Sequence, residues 1–313
     1  MPNERIPSLY WAFSCYNTRK KQVITLHTVK IEGPYNFDLV LSRLALDPLH
    51  VLDKEARWVK VPLRIDNKPI VVKIQATGIT EKPTFRLEWE EIDSSLHDLI
   101  YKEIRRIFRW DESLLAIHEH FQSTKLKPLF EEHYGTPIVL DFHPYNSLVK
   151  CIIHQQLNLK FAFTLTQRFV TTYGFQKDGV WFYPAPETVA KLTVQELREL
   201  QFSTRKAEYI IDLSNEIIKG NLDLASLEKK SDDEIMKELI RYRGIGQWTI
   251  QNLLLFGLGR NNLFPIADIG IQNALKKLLQ LDKKPTKEEM EALLPEWHPY
   301  LSYASLYLWR SIE

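Results

Sequence analysis

The sequence predicts an α+β domain built on a β-sheet over residues 1–93, followed by a mainly α-helical body over residues 94–313. Before residue 94, short runs of β-branched and aromatic residues alternate with polar residues and are separated by turn residues, which is typical of strands. After residue 94, apolar residues recur at the three- and four-residue spacing of amphipathic helices, with short Pro or Gly breaks. A length of 313 residues fits such a division into two domains.

The composition is that of a globular protein without a disulfide framework. Hydrophobic residues make up 44% and charged residues 26% of the chain, and the formal net charge is +1, so the overall charge does not indicate a nucleic-acid partner. Cys15 and Cys151 are too few for a four-cysteine zinc site or iron–sulfur cluster. We expect no signal peptide, no membrane span, a reducing intracellular location and a monomer.

The strands of the first domain follow from hydrophobic alternation and turn chemistry. A helix over residues 37–46 is predicted to interrupt them. Asp66-Asn67-Lys68-Pro69 separates two strands and is typical of a β-hairpin turn. The predicted strands lie at 10–16, 22–32, 61–65, 70–74 and 84–92.

The helical body begins with a predicted helix over residues 94–110, with Ser94 or Ser95 as its N-cap. Further along, Ser231 and Glu234 have the spacing of a capping box at the start of another helix. That helix is predicted to end at Arg243-Gly244-Ile245-Gly246, because glycine permits a tight turn with positive φ. A second helix then begins near Gln247, so residues 231–258 predict a helix-hairpin-helix unit.

The hairpin has features of a phosphate-binding site. Backbone N–H groups at the start of a helix have no helical acceptors and, with the helix dipole, favour an anion. Gly244 and Gly246 would let a DNA backbone approach closely, and Arg241 and Arg243 lie beside them. A bare Gly-x-Gly sequence between helices is more often an ordinary turn with a glycine stop, so the residues that follow decide its meaning.

The acidic residue Asp268 stands alone in a basic stretch. It is the single acid among the 43 residues from Leu239 to Leu281, which also contain five Lys or Arg residues. Depletion of acids is expected where phosphate approaches. Asp268 also precedes the predicted helix IGIQNALKKLLQ, where Asp is a favoured N-cap, and the two roles do not exclude each other.

Five segments, in order along the chain, resemble the DNA-3-methyladenine glycosylase II family of the helix-hairpin-helix DNA glycosylase superfamily. The most specific is LIRYRGIGQWTIQNLLLFGLGRNNLFPIADIGIQNAL (239–275), which is similar to the superfamily's hairpin, Gly/Pro-rich loop and catalytic Asp. The other four are PYNFDLVLSRL (34–44), CIIHQQLNLKFAFTLTQRFVTTYG (151–174), YPAPETVAKLTVQELRELQFSTRKAEYIIDLS (183–214) and EWHPYLSYASLYLWR (296–310).

The resemblance implies a fold and a reaction. The first domain would resemble half of a TATA-binding-protein-like saddle, and the body would be a glycosylase acting on double-stranded DNA. Asp268 would be the catalytic carboxylate that stabilises an oxocarbenium-like transition state. Trp248 occupies the position of the lysine that forms a Schiff base in bifunctional members, which implies a glycosylase without lyase activity. Trp248 and Trp309 would line the base pocket, although core packing also explains Trp309.

Other residues receive roles from the same resemblance. Gln155, Gln156 and Leu157 fall where the family fills the gap left by a flipped base, although an ordinary N-terminal turn of a helix fits them equally well. His154 and Lys206 are weaker candidates for DNA contacts. The sequence departs from the family's usual residues at several positions, which leaves the lesion range open: Asn158, Arg243, Asn252, Ala267, Ile269 and Leu301.

No cofactor is expected, apart from a structural Na⁺ or K⁺ that hairpins of this family often hold on backbone carbonyls, here near Ile240, Tyr242 and Ile245. Two alternatives to the glycosylase interpretation remain. One is a damaged-DNA-binding protein that keeps the fold without turnover. The other is a glycosylase for oxidised bases or mismatches, against which the missing cluster cysteines and Trp248 argue.

Overall fold

An antiparallel five-stranded sheet forms the N-terminal part of the computed structural model, which describes residues 24–312. Its strands pair in the order β1-β5-β4-β3-β2. The strand predicted at residues 10–16 lies outside the described residues, and β2 was not predicted. The strands are β1 (Ile24–Lys30), β2 (Val51–Asp53), β3 (Trp58–Ile65), β4 (Lys68–Ala76) and β5 (Thr84–Glu90).

The predicted hairpin turn between β3 and β4 is confirmed and is tighter than its four-residue signature. Ile65 pairs with Lys68, so the turn has two residues. Asp66 and Asn67 have φ values of 48° and 61°, the left-handed conformation of a type I′ turn. Asn and Asp tolerate this conformation better than other side chains, because their short polar groups bond locally.

Helix α1 (Phe37–Leu44) confirms the helix predicted over residues 37–46 and lies between β1 and β2; Asn36 caps it by accepting the backbone N–H of Leu39. Helix α2 (His97–Phe108) follows a single 3₁₀ turn at Ser94–Leu96. The predicted Ser94 or Ser95 cap is wrong: the Asp93 carboxylate accepts the N–H of Ser95. An ionised side chain one residue earlier provides the stronger acceptor.

The body is mainly helical, which confirms the predicted fold class. One short hairpin, β6 (Phe175–Lys177) and β7 (Val180–Phe182), interrupts the helices and packs on the sheet, where Arg64 lies over the Phe175 ring. The helices are α3 (Leu114–Phe121), α4 (Lys127–Glu132), α5 (Pro144–His154), α6 (Leu159–Tyr173), α7 (Pro186–Val189), α8 (Val194–Glu199), α9 (Thr204–Ile218), α10 (Asp232–Leu239), α11 (Gln247–Asn252), α12 (Ile269–Leu278), α13 (Lys287–Glu291), α14 (Leu294–Trp297) and α15 (Leu301–Arg310).

Two large hydrophobic cores organise these elements. The first joins the inner face of the sheet to α2, α3 and α4 and also to α12 and α15, from Tyr35 to Leu308. The second lies among α5, α6, α9, α10 and α11. The domain boundary at residue 94 stays a prediction, because a shared core does not show which part folds alone. None of the described helices is long and apolar enough to cross a membrane.

Candidate functional site

Asp268 is the N-cap of α12, as its position before the IGIQNALKKLLQ sequence predicts. Its Oδ1 accepts the backbone N–H of Ile271 at 2.9 Å. The indole Nε1–H of Trp309, on α15, donates to the same oxygen, also at 2.9 Å. Among the described residues no group donates to Oδ2. The carboxylate is therefore fixed through one oxygen, while the other remains available to a ligand.

Gly270 lies against this pair and was not predicted as a site residue. A β-carbon built on Gly270 would lie 3.0 Å from Oδ1 of Asp268 and 3.2 Å from Cδ1 of Trp309. The absence of a side chain at position 270 therefore lets the two groups meet. The sequence does contain a hint of this role. Gly270 lies in the first turn of a predicted helix, where glycine lowers helix propensity and no turn requires it.

Helix α11 widens after Asn252 into a π-helical turn, Leu253–Gly257, which the sequence did not indicate. Such turns are rare and are frequent at functional sites. The Phe256 carbonyl accepts the backbone N–H of Asp141 at 2.7 Å. The Phe256 ring lies 5.9 Å from the Trp309 ring, measured between centroids. The π-turn thus connects the Asp268–Trp309 pair to the wall of a cavity.

That cavity has a volume of about 720 Å³ and lies among α1, α5, α6 and α11. Trp248 lines it and is 42% exposed. Phe142, Phe163 and Phe256 provide further aromatic lining. Asp268 and Trp309 are not among the described residues that line this cavity, but the Trp309 ring packs beside Phe256, which does line it. The structure therefore brings Asp268 and Trp309 together and places Trp248 on the cavity wall.

The hairpin between α10 and α11 confirms the predicted helix-hairpin-helix, including the reciprocal Ser231–Glu234 capping box. Gly244 has φ +82°, and a β-carbon there would lie 2.2 Å from the Tyr209 ring, so this glycine is required by the fold. At Gly246 a β-carbon would meet no atom of the described residues within 4 Å. Gly246 therefore faces open space at the start of α11.

The two hairpin arginines differ in their surroundings. Arg243 is 65% exposed and forms ion pairs with Glu208 at 2.9 Å and Asp212 at 3.3 Å, both on α9. Residues 239–281, which contain a single acid in the sequence, therefore lie next to acidic residues of α9 in the folded protein. Arg241 is exposed and lines a shallow depression with Arg243.

Of the residues near the end of α5 that were predicted to contact DNA, some form hydrogen bonds within the protein and others are exposed. The Gln155 amide donates to the Gly244 carbonyl at 2.8 Å and to Thr249 Oγ1 at 3.0 Å, which ties α5 to the hairpin. Lys206, on α9, donates to the carbonyls of Ile153 and Gln155 at 2.7 Å each. Lys206 therefore stabilises the end of α5, and its ammonium is directed at carbonyls of the protein.

Gln156 and Leu157 form the turn between α5 and α6. Gln156 is exposed and has φ +56°, a strained conformation for glutamine. Leu157 is partly buried and lines the cavity, as does the largely exposed Leu159, which was not predicted. His154 lies 3.0 Å from Thr166 Oγ1, and burial lowers the pKa of its imidazole to about 4, so it is neutral near pH 7.

The cation is expected on the backbone carbonyls near Ile240, Tyr242 and Ile245, at the turn between α10 and α11. The Tyr242 carbonyl accepts the N–H of Ile245 at 3.1 Å, which leaves one of its lone pairs unused. Among residues 24–312 no cluster of three or more His, Cys, Asp or Glu residues is placed to hold a metal ion.

Comparisons with known proteins agree with this geometry. Residues 149–299 match the family described as "HhH-GPD superfamily base excision DNA repair protein". A Bacillus subtilis protein named "Putative DNA-3-methyladenine glycosylase YfjP" is 57% identical over 91% of this chain and 98% of its own length. A second B. subtilis protein, "DNA-3-methyladenine glycosylase", is 30% identical over 79% of each chain. The chain is thus an HhH-GPD base excision repair protein, and within that class it belongs to the DNA-3-methyladenine glycosylase family.

Solved structures show the same fold. The 3-methyladenine DNA glycosylase of Archaeoglobus fulgidus matches with a TM-score of 0.80 at 21% identity, over 90% of this chain and 97% of that one. The Schizosaccharomyces pombe 3-methyladenine DNA glycosylase in complex with abasic DNA matches with a TM-score of 0.55 at 27% identity, over 62% of this chain and 95% of that one.

Proposed function

We propose that the protein is a monofunctional DNA glycosylase of type II that releases alkylated purines from double-stranded DNA by hydrolysis, acting inside the cell as a monomer. The proposal rests on the way in which the Asp268 carboxylate is held. Its Oδ1 is anchored by Ile271 and Trp309, and no described residue donates to its Oδ2. A carboxylate oriented in this way, in a family whose named members are glycosylases, has the form of an electrostatic catalyst.

The chemistry requires one fixed negative charge. Cleavage of an N-glycosidic bond develops positive charge at the sugar C1′, as in sugar hydrolysis generally. Oδ2 of an ionised Asp268 would stabilise this charge and orient or deprotonate the attacking water. An alkylated purine that carries a positive charge is already a good leaving group and needs little acid assistance. No lysine is required, and Trp248 stands where a Schiff-base lysine would act.

The cavity is suited to hold the flipped base. A volume of about 720 Å³ exceeds what a purine needs and falls within the range of small-ligand pockets. Trp248 offers a ring for stacking or for a cation–π contact. The guanidinium of Arg43 already lies 5.2 Å from the Phe256 centroid, so that ring is shared with a protein cation. Trp248 is therefore the ring we assign to the face of the base, and Trp309 is the residue that orients Asp268.

Two turns would hold the DNA. The hairpin would receive a phosphate at Gly246, supported by Arg241 and Arg243, while Gln156 and Leu157 would occupy the gap left by the base. A Na⁺ or K⁺ bound to hairpin carbonyls would stiffen the first of these turns. The open space at Gly246 and the exposed, strained Gln156 support these assignments.

A non-catalytic damage-binding protein is the second candidate. It would need the cavity and the two turns but would have no use for the oriented carboxylate. The two functions separate in one experiment: release of free base from duplex DNA carrying 7-methylguanine, compared between the wild type and Asp268→Asn. Asn keeps an oxygen for Ile271 and Trp309, so the site should fold unchanged.

We expect release by the wild type and a loss of about a hundredfold or more in the variant, with DNA binding retained or tighter. Equal release by both proteins would contradict the role of Asp268. Binding without release by either protein, on this lesion and on hypoxanthine and 1-methyladenine, would favour the damage-binding function.

A further inference from the structure

The cavity wall carries a pair of charged residues that the proposed reaction does not use. Asp141 and Lys150 form an ion pair on its wall, and their side chains are 16% and 26% exposed. Asp141 lies in the segment before α5, and Lys150 is on α5. Both side chains are thus mostly enclosed by protein while reaching the space assigned to the flipped base.

The pair is fixed and charged. The backbone N–H of Asp141 is bound to the Phe256 carbonyl in the π-turn at 2.7 Å, which holds Asp141 beside the aromatic wall. Burial raises the pKa of the Asp141 carboxyl, but the charge and hydrogen bond of Lys150, together with Ser147 and His50, lower it by more, so the net shift is downward. Burial likewise opposes the charge of Lys150, while Asp141 raises the pKa of its ammonium. Near pH 7 both groups are therefore ionised.

Fold stability gives a weak reason for such a pair, because the cost of desolvating two charges commonly cancels their attraction. The Lys150 ammonium has three N–H donors. Asp141 takes one, and no other acceptor among the described residues takes the remaining two. A partly enclosed ammonium with unused donors, beside a carboxylate, presents a donor and an acceptor to the cavity.

A nucleobase edge carries the complementary groups. On its Watson–Crick edge adenine has the acceptor N1 beside an amino group, and guanine and hypoxanthine have the acceptor O6 beside N1–H. Trp248 lines the same cavity and offers a ring for the face of the base. Among the neighbouring side chains, His154 is neutral and directed to Thr166, so it does not compete for Lys150.

We propose that Asp141 and Lys150 bind the Watson–Crick edge of the flipped base, with Lys150 donating to its ring acceptor or carbonyl and Asp141 accepting from its amino or imino group. This inference rests on the proposed glycosylase function and deepens it. It makes the pair a specificity determinant that favours bases altered away from this edge, such as 7-methylguanine, and hypoxanthine. A base methylated on the edge itself, such as 1-methyladenine, gains less from the pair.

The test measures single-turnover base release from duplexes carrying 7-methylguanine, hypoxanthine or 1-methyladenine. Lys150→Met removes the donor, and Lys150→Arg retains a cation. Since Lys150→Met leaves Asp141 unpaired, the double variant Asp141→Asn/Lys150→Met provides a neutral pair that does not bury a lone charge. The matched control is Glu90→Gln/Lys177→Met, an ion pair away from the cavity with side chains 28% and 25% exposed. Thermal unfolding of every variant checks the fold.

We expect Lys150→Met and the double variant to slow release of 7-methylguanine and hypoxanthine about 10- to 100-fold. Release of 1-methyladenine should slow far less, Lys150→Arg should restore part of the loss, and the control pair should leave all three rates unchanged. Equal losses on the three lesions, or no loss on any, would overturn the inference while leaving the glycosylase function in place. Failure of the wild type to release any of the three would overturn both.

Discussion

The indole N–H of Trp309 and the backbone N–H of Ile271 donate to the same oxygen of Asp268, each at 2.9 Å. Both hydrogen bonds therefore orient the carboxylate through its Oδ1 atom. Because Trp309 belongs to α15 and Ile271 to α12, the direction of Oδ2 depends on how these two helices pack. The proposed catalytic role of Asp268 therefore makes Trp309 its positioning residue.

Replacement of Trp309 by Phe should slow base release about tenfold, because it keeps an aromatic ring beside Phe256 and removes the N–H donor. The measurement is the single-turnover rate on 7-methylguanine DNA, with affinity for the same duplex measured separately. Affinity should change little. An unchanged rate would show that Ile271 alone suffices to orient the carboxylate.

Substitution of Gly270 by Ala should lower the release rate without weakening the fold. The new methyl group would lie 3.0 Å from Oδ1 of Asp268 and must displace either this oxygen or the Trp309 ring. Alanine favours the helix itself, so the melting temperature should hold or rise. Asn273→Ala, one turn later on the exposed side of α12, is the control. Activity equal to that control would mean that the site accommodates the methyl group.

The two hairpin glycines should respond differently to alanine. Gly246→Ala places its methyl group in open space, so we expect normal unfolding and weaker DNA binding, because a phosphate can no longer approach the backbone closely. Gly244→Ala should destabilise the protein by roughly 1–3 kcal/mol, because φ is positive and the Tyr209 ring is in the way. Equilibrium unfolding and fluorescence anisotropy distinguish the two. Unaltered DNA binding by Gly246→Ala would assign the hairpin a structural role only.

Removal of the acids that face Arg243 should strengthen DNA binding. In Glu208→Gln/Asp212→Asn, Arg243 no longer has to leave its ion pairs to meet a phosphate, and two repulsive charges are gone. Exposed pairs are weak, so a gain of a few-fold is expected, and it should shrink as salt is raised. Glu131→Gln, which removes an exposed acid from α4, is the control. Weaker or equal binding would indicate that the acids hold Arg243 in its binding position.

Local features of the site were accessible from the sequence. The Ser231–Glu234 capping box, the hairpin glycines and the Asp268 cap each involve residues within four positions, and each is confirmed as local structure. The catalytic and DNA-binding roles assigned to these residues remain predictions. The Asp93 cap shows the limit even locally, because two serines and an aspartate compete for one helix end.

Long-range features were not accessible. Lys206 and Gln155 are ordinary polar residues in the sequence, and only packing shows that they fasten α5 to α9 and the hairpin. The sequence suggests that the surface around the hairpin lacks acids, but in the fold Arg243 pairs with two acids of α9. Lys150 and Asp141 stand nine positions apart, so no helical spacing indicates that they meet.

The first hydrophobic core also constrains how the protein is made. It extends from Tyr35 to Leu308, and α15 provides both part of that core and Trp309. Translation produces the sheet well before α15. The apolar surface that α15 later covers is therefore exposed in the nascent chain, where it could aggregate. The carboxylate of Asp268 acquires its second anchor only after α15 has been made and has packed beside α12. The proposed role of Asp268 therefore depends on a contact that forms only after α12 and α15 have both joined this core.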